Sequence, residues 1–151
     1  MTRQTLLCLL FFPLLLWSNT LEDLRNKYPE VVADSELCKN LIQNLSDKKD
    51  LSAIEQAYLG AIQTIWANHT KSPISKWKTF QRGKDNLEAA VKASPNNIEI
   101  RMLRYSVQSN CPKFLNYYDK MDADRGYIVE NRAQIKSPAL LKIYHDLLKS
   151  S

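Results

Sequence analysis

Residues 83–105, GKDNLEAAVKASPNNIEIRMLRY, decide the fold. Gly83, Leu87 and Ala90 recur at spacings of four and three, and Pro95 follows five residues later. The spacing of the first three is helical, with small and large residues sharing one face. Proline cannot continue a helix, and Asn96 and Asn97 favour turns and caps, so a second helix is predicted from Ile98. In that helix Ile100, Leu103 and Val107 form one apolar face, and Ile98, Met102 and Tyr105 form another on nearly the opposite side. A helix apolar on two sides lies between two neighbours. The strip left between those faces carries Arg101, Arg104 and Gln108.

Outward from this point the helical signal recurs and no strand signal does. Apolar periodicity with caps predicts helices over 21–28, 35–45, 50–67, 73–93, 98–110, 121–135 and 138–148, the first short and weak. Asp34 or Ser35 is the expected cap of the second and Asp50 of the third, while Ser72-Pro73 and Ser137-Pro138 open two others. All three glycines fall inside helical patterns, where each costs about 1 kcal/mol relative to alanine. Gly60 and Gly83 lie at equal distances from the turn around Lys71 and Ser72. In an antiparallel hairpin they would face each other and let the helix axes approach closely.

Gly83, Leu87, Ala90 and Pro95 resemble the second helix of a tetratricopeptide repeat. Counted back from Pro95, the Leu-Gly pair of that repeat would fall at Thr70 and Lys71, whereas here it is Leu59-Gly60, displaced by 11 residues. The likeness therefore implies a hairpin lengthened by about three turns in all. In the next helix the repeat's positions hold Arg101, Arg104 and Tyr105, which depart from its pattern. NNIEIRMLRYSVQSNCPKFLNYY also resembles a segment of small exported bacterial proteins of unknown function; that likeness covers roughly residues 51–130 and brings no activity with it. The implied architecture is all-α: about six helices as stacked antiparallel hairpins, with Gly60, Gly83 and Pro95 as structural positions.

The N-terminus reads as a secretory signal over residues 1–20. Arg3 precedes the 12-residue apolar run LLCLLFFPLLLW and then Ser18, Asn19 and Thr20. The run is short of the roughly 20 residues that span a bilayer, and Pro13 interrupts it. Cys8 lacks the small residues expected before a lipid-modified cysteine. The expected product is exported, periplasmic or secreted, with residues 21–151 as one domain. An uncleaved anchor is the alternative.

Cleavage would remove one cation and no acid, leaving a net charge of +4. Lys71, Lys76, Lys78, Arg82 and Lys84 supply +5 within 14 residues that contain no acid, so the rest of the mature chain sums to −1. The basic excess is one patch, KSPISKWKTFQRGK, with Trp77 and Phe80 among the cations. It makes Lys71, Lys76, Lys78, Arg82 and Lys84 candidates for an anionic partner: a phosphate, an acidic protein surface or a lipid headgroup. Nucleic acid is not expected, because the patch is small and the protein exported. Membrane contact is expected only through an uncleaved signal or this patch. Arg101, Arg104 and Gln108 are the candidates for a peptide-binding groove, since a guanidinium can hold a carboxylate bidentately; an internal ion pair with Asp85, Glu88 or Glu99 is the competing role. Cys38 and Cys111 could form a disulfide in an oxidising compartment or stay separate.

Patterns for catalysis are missing from this inventory. His69 and His145 have no cysteine, serine or carboxylate at a spacing that ties them to a nucleophile. Asp119, Asp122 and Asp124 near Gly126 fail the calcium-loop register, which would put Met121, Ala123 and Arg125 at ligand positions; they are expected to cap the sixth helix. Arg82-Gly83-Lys84 lacks the upstream glycine and following Ser/Thr of a phosphate loop. The reading is a non-enzymatic binding or scaffold protein for a protein or peptide, with no cofactor and no metal; binding of an anionic ligand or membrane surface through residues 71–84 is the alternative.

Overall fold

The computed structural model describes residues 18–149, and among these every regular element is helical. The first 17 residues, with Cys8 and most of the expected signal, lie outside it; residues 18–20 open the first helix. The elements are α1 (Ser18–Lys27), α2 (Ser35–Ser46), α3 (Ala53–His69), α4 (Pro73–Ala93), α5 (Ile98–Asn110), α6 (Met121–Glu130) and α7 (Pro138–Lys149). Short 3-10 turns at Tyr28–Val32, Lys113–Leu115 and Arg132–Gln134 punctuate them.

The α3–α4 hairpin forms the centre. A Cβ on Gly60 would stand 2.6 Å from the Gly83 carbonyl oxygen, and one on Gly83 would stand 2.6 Å from the Gly60 oxygen. Only glycine permits two backbones to meet this closely. α3 is buried on most sides, from Ala57 through Thr64, because α2, α4 and α5 all pack on it. The two apolar faces of α5 are both buried, Ile98, Met102 and Tyr105 along with Ile100, Leu103 and Val107. α6 lies against α5, and α7 returns to α1, where the Ser137 hydroxyl donates to the Glu22 carboxylate.

Local chemistry moved several boundaries. α3 starts from Ser52 rather than Asp50: the Ser52 hydroxyl accepts from the Glu55 N–H while the Glu55 carboxylate accepts from the Ser52 N–H, a complete capping box. Lys48 also pairs with Glu55. α6 stops at Glu130, five residues before the expected end at 135, and a 3-10 turn follows. There the Asn131 side chain donates to the Tyr127 carbonyl and accepts from Gln134, competing with the helical ladder. The acids expected to cap α6 do not do so: Lys120 occupies the cap position, without a side-chain cap bond, and Asp124, inside the first turn, is fully buried.

Candidate functional site

Each candidate residue has a definite place, and the two cationic groups differ sharply. In the α5 strip, Arg104 is 5% and Gln108 2% exposed. Arg104 donates from Nε to Asp124 Oδ2 at 2.7 Å, from Nη2 to Asp124 Oδ1 at 2.8 Å and from Nη1 to Glu88 Oε2 at 3.0 Å. Burial alone would lower the Arg104 pKa, but hydrogen bonds and charge from Asp124 outweigh it and raise it, so the guanidinium stays charged. Arg101 donates to Asp124 Oδ1 at 2.5 Å and to the Pro95 carbonyl at 2.8 Å, and its guanidinium lies 5.0 Å from the centre of the Tyr127 ring. Tyr117 closes the cluster by donating to Glu88. The expected groove is therefore corrected: these arginines bind α6 and α4 of their own chain, and Gln108 is sealed from solvent. Asp124, the residue that captures them, was read from the sequence as a helix cap.

A second buried cluster ties α1 to the centre. Glu99, 3% exposed, accepts from Arg25 Nε at 2.8 Å and Nη2 at 2.7 Å and from the Tyr58 hydroxyl at 2.8 Å. Hydrogen bonding to Glu99 raises the Arg25 pKa against the opposing effect of burial. Burial raises that of Tyr58, and Glu99 reinforces the rise, so Tyr58 remains a neutral donor.

The basic segment behaves otherwise. Lys71, Lys76, Lys78 and Arg82 are exposed, and none forms an ion pair among the described residues. Lys84 is half-buried, its ammonium 4.9 Å from the centre of the Tyr117 ring. Ser72 caps α4 and Pro73 starts it, so the positive end of the helix dipole adds to the charge of these side chains.

Beside this segment is a cleft of about 760 Å³. Its walls come from the Tyr28–Val32 turn, the end of α3, the start of α4, the end of α5 with the loop after it, and α7. His69 fixes one wall: its Nε2 lies 3.1 Å from the Val31 carbonyl and joins the end of α3 to the Tyr28–Val32 turn. Phe80 fixes another by packing edge-on against Tyr117, centroids 6.2 Å apart. Three lining residues leave large apolar surfaces uncovered: Val32 is 64%, Trp77 52% and Phe114 84% exposed. Ile74, one turn before Lys78 on α4, is 68% exposed as well. Covering a side chain of this size is worth roughly 1.5–3 kcal/mol when complete. Large exposed apolar groups clustered at one concavity mark a binding surface.

The charged lining residues are Lys76 and Asp146. Lys142 bonds Asp146 at 2.7 Å and holds its carboxyl below the usual range. Cys111 also lines the cleft, whereas Cys38 is buried with Sγ 3.7 Å from the Ile62 carbonyl. Both are free thiols, so the bridge considered from sequence is not formed. Burial, helped by Asp34, pushes the Cys38 thiol up to about 11; burial also raises Cys111, with Lys84 opposing.

Among the described residues no group of three or more His, Cys, Asp or Glu side chains could hold a metal ion. No helix there is long and apolar enough to cross a membrane. Compared with known protein families, characterised proteins and solved structures, the chain finds no match.

Proposed function

We propose that this chain is an exported, non-catalytic binding protein, and that it holds an elongated apolar ligand in the cleft between α3, α4, α5 and α7. The observation that carries this reading is the convergence of Val32, Trp77 and Phe114, all largely uncovered, on one concavity of about 760 Å³. A folded chain pays a solvation cost for such side chains, and a ligand that covers them recovers it. The binding role expected from the sequence is kept, but its place moves from the α5 strip to the cleft. The tetratricopeptide-like reading is proposed only for the α3–α4 hairpin, where Gly83, Leu87 and Ala90 are buried at the repeat's spacing and Pro95 follows. Beyond the hairpin, α7 packs back onto α1.

The test is titration with a neutral apolar probe, hexadecanol below its solubility limit, read by tryptophan fluorescence and thermal unfolding. Saturable one-site binding is expected, weakened about tenfold or more when both Trp77→Ala and Phe114→Ala are present. Binding that never saturates, or that the double variant leaves intact, overturns the reading.

A further inference from the structure

The cleft has an electrically uneven rim, and that asymmetry points to the ligand's head. Lys76 reaches the lining from the first turns of α4, with no carboxylate within ion-pair distance among the described residues. It stands in the acid-free window that also holds Lys71, Lys78 and Arg82, all exposed. The opposing charge in the lining, Asp146, already has its counter-ion in Lys142 at 2.7 Å. The field left over at the rim is positive.

The wall chemistry narrows the tail. Trp77, Phe80, Val107 and Leu147 line the cleft with apolar side chains from three helices, α4, α5 and α7. An extended polypeptide would bring a polar backbone pair with every residue. Of the polar side chains in these walls, Thr64 and Asn110 already donate within their own helices and Ser106 is bonded to Tyr28, leaving Asn68 as the main neutral partner. A hydrocarbon chain brings no such pairs. The volume falls within the roughly 300–1,000 Å³ of small-molecule sites. We propose that the cleft binds a single-chain carboxylate amphiphile, a free fatty acid, with its chain along Trp77, Phe80, Val107 and Leu147 and its carboxylate at Lys76. This assignment rests on the cleft-binding reading above and adds the head-group chemistry to it. Lys76 carries a point charge on a flexible stem, so it would hold the head by charge-assisted hydrogen bonding and leave the chain length loosely selected.

The experiment compares palmitate, hexadecanol and hexadecylamine, each below its aggregation concentration, by tryptophan fluorescence of the purified protein. Palmitate is expected to bind about tenfold tighter than the other two, and Lys76→Glu to abolish that preference. Lys76 is exposed, so this variant is expected to fold, which circular dichroism checks. Lys78→Glu, equally exposed but outside the lining, is expected to keep the preference. A bromine-labelled fatty acid is expected to quench the fluorescence of the native protein and to lose most of that effect in Trp77→Phe. Equal binding of all three probes, or tighter binding of the amine, overturns the head-group assignment and leaves the cleft reading standing. Failure of all three to bind overturns both. Sedimentation with phosphatidylglycerol vesicles in the absence of saturable palmitate binding would make the basic segment a membrane-docking surface and also overturn the proposal.

Discussion

On α5, Arg101 and Arg104 reach a fully buried carboxylate, Asp124, and Arg104 reaches Glu88 besides. On α4, Lys76, Lys78 and Arg82 reach no carboxylate at all among the described residues, and Trp77 and Ile74 beside them stay half uncovered or more. From sequence both groups looked like binding surfaces. The contrast separates charge used to hold helices together from charge left facing solvent next to apolar surface. An internal partner satisfies both the hydrogen bonds and the charge of an arginine, after which little remains for a ligand. An unpaired lysine at the mouth of an apolar cleft keeps both available.

The comparison is broken most severely at Asp124. Removing it strands Arg104 as a buried, half-compensated cation, and Asp124→Ala is expected to cost about 3–5 kcal/mol in urea unfolding. A loss near 1 kcal/mol would mean that Asp124 acts as no more than a helix cap, and would reopen the α5 strip as a binding surface. Next in size is the α3–α4 contact on which both regions rest. Gly83→Ala places a Cβ against backbone atoms and the Thr64 methyl, and is expected to cost about 1–3 kcal/mol by the same measurement. Gly126→Ala, which meets nothing within 4 Å, serves as its control and is expected to be neutral or slightly stabilising.

The Glu55 cap lies between the two extremes, since it is an ion pair at the surface. Burial raises the Glu55 pKa, but Lys48 and the Ser52 contacts outweigh that and hold it below the ordinary value of 4.5. The folded state thus binds fewer protons than the unfolded one across this range. The contribution is present above pH 4.5 and is lost as pH falls through the depressed value. Glu55→Gln is expected to reduce stability at pH 7 by about 1 kcal/mol, and to narrow the gap from the parent as the pH drops below 4, in chemical unfolding at several pH values. The smallest effect is expected in the cleft itself. Phe114→Ala should change stability by less than about 0.5 kcal/mol, because the ring is 84% exposed, while weakening the binding of an apolar probe. A large stability loss there would place the ring in the core and remove it from the ligand site.

Much of the fold was legible because helix periodicity is a local property. The bounds of α4 and α5 follow directly from Ser72-Pro73, from Pro95 and from the Asn97 cap, whose side chain accepts from the Ile100 N–H. The end of α6 was not legible, since it depends on which way the Asn131 side chain turns. The role of Asp124 was hidden for a different reason. Its partners are 20 and 23 residues away, and nothing in its neighbours distinguishes a capping acid from a buried one. The cleft was still less visible, because Val32, Trp77, Phe114 and Leu147 come from four separate places in the chain.

The sequence alone therefore determined the helical class, the turns at Ser72-Pro73 and at Pro95, and the existence of one basic segment free of acids. Those follow from periodicity, caps and local charge, which act over a few residues. Only the tertiary structure decided which cations are spent internally and which remain, and that an apolar cleft opens beside the remaining ones. Ion pairing and burial depend on distances through space. A chain of this length can bring Arg104 to Asp124 and Trp77 to Val32 only by folding.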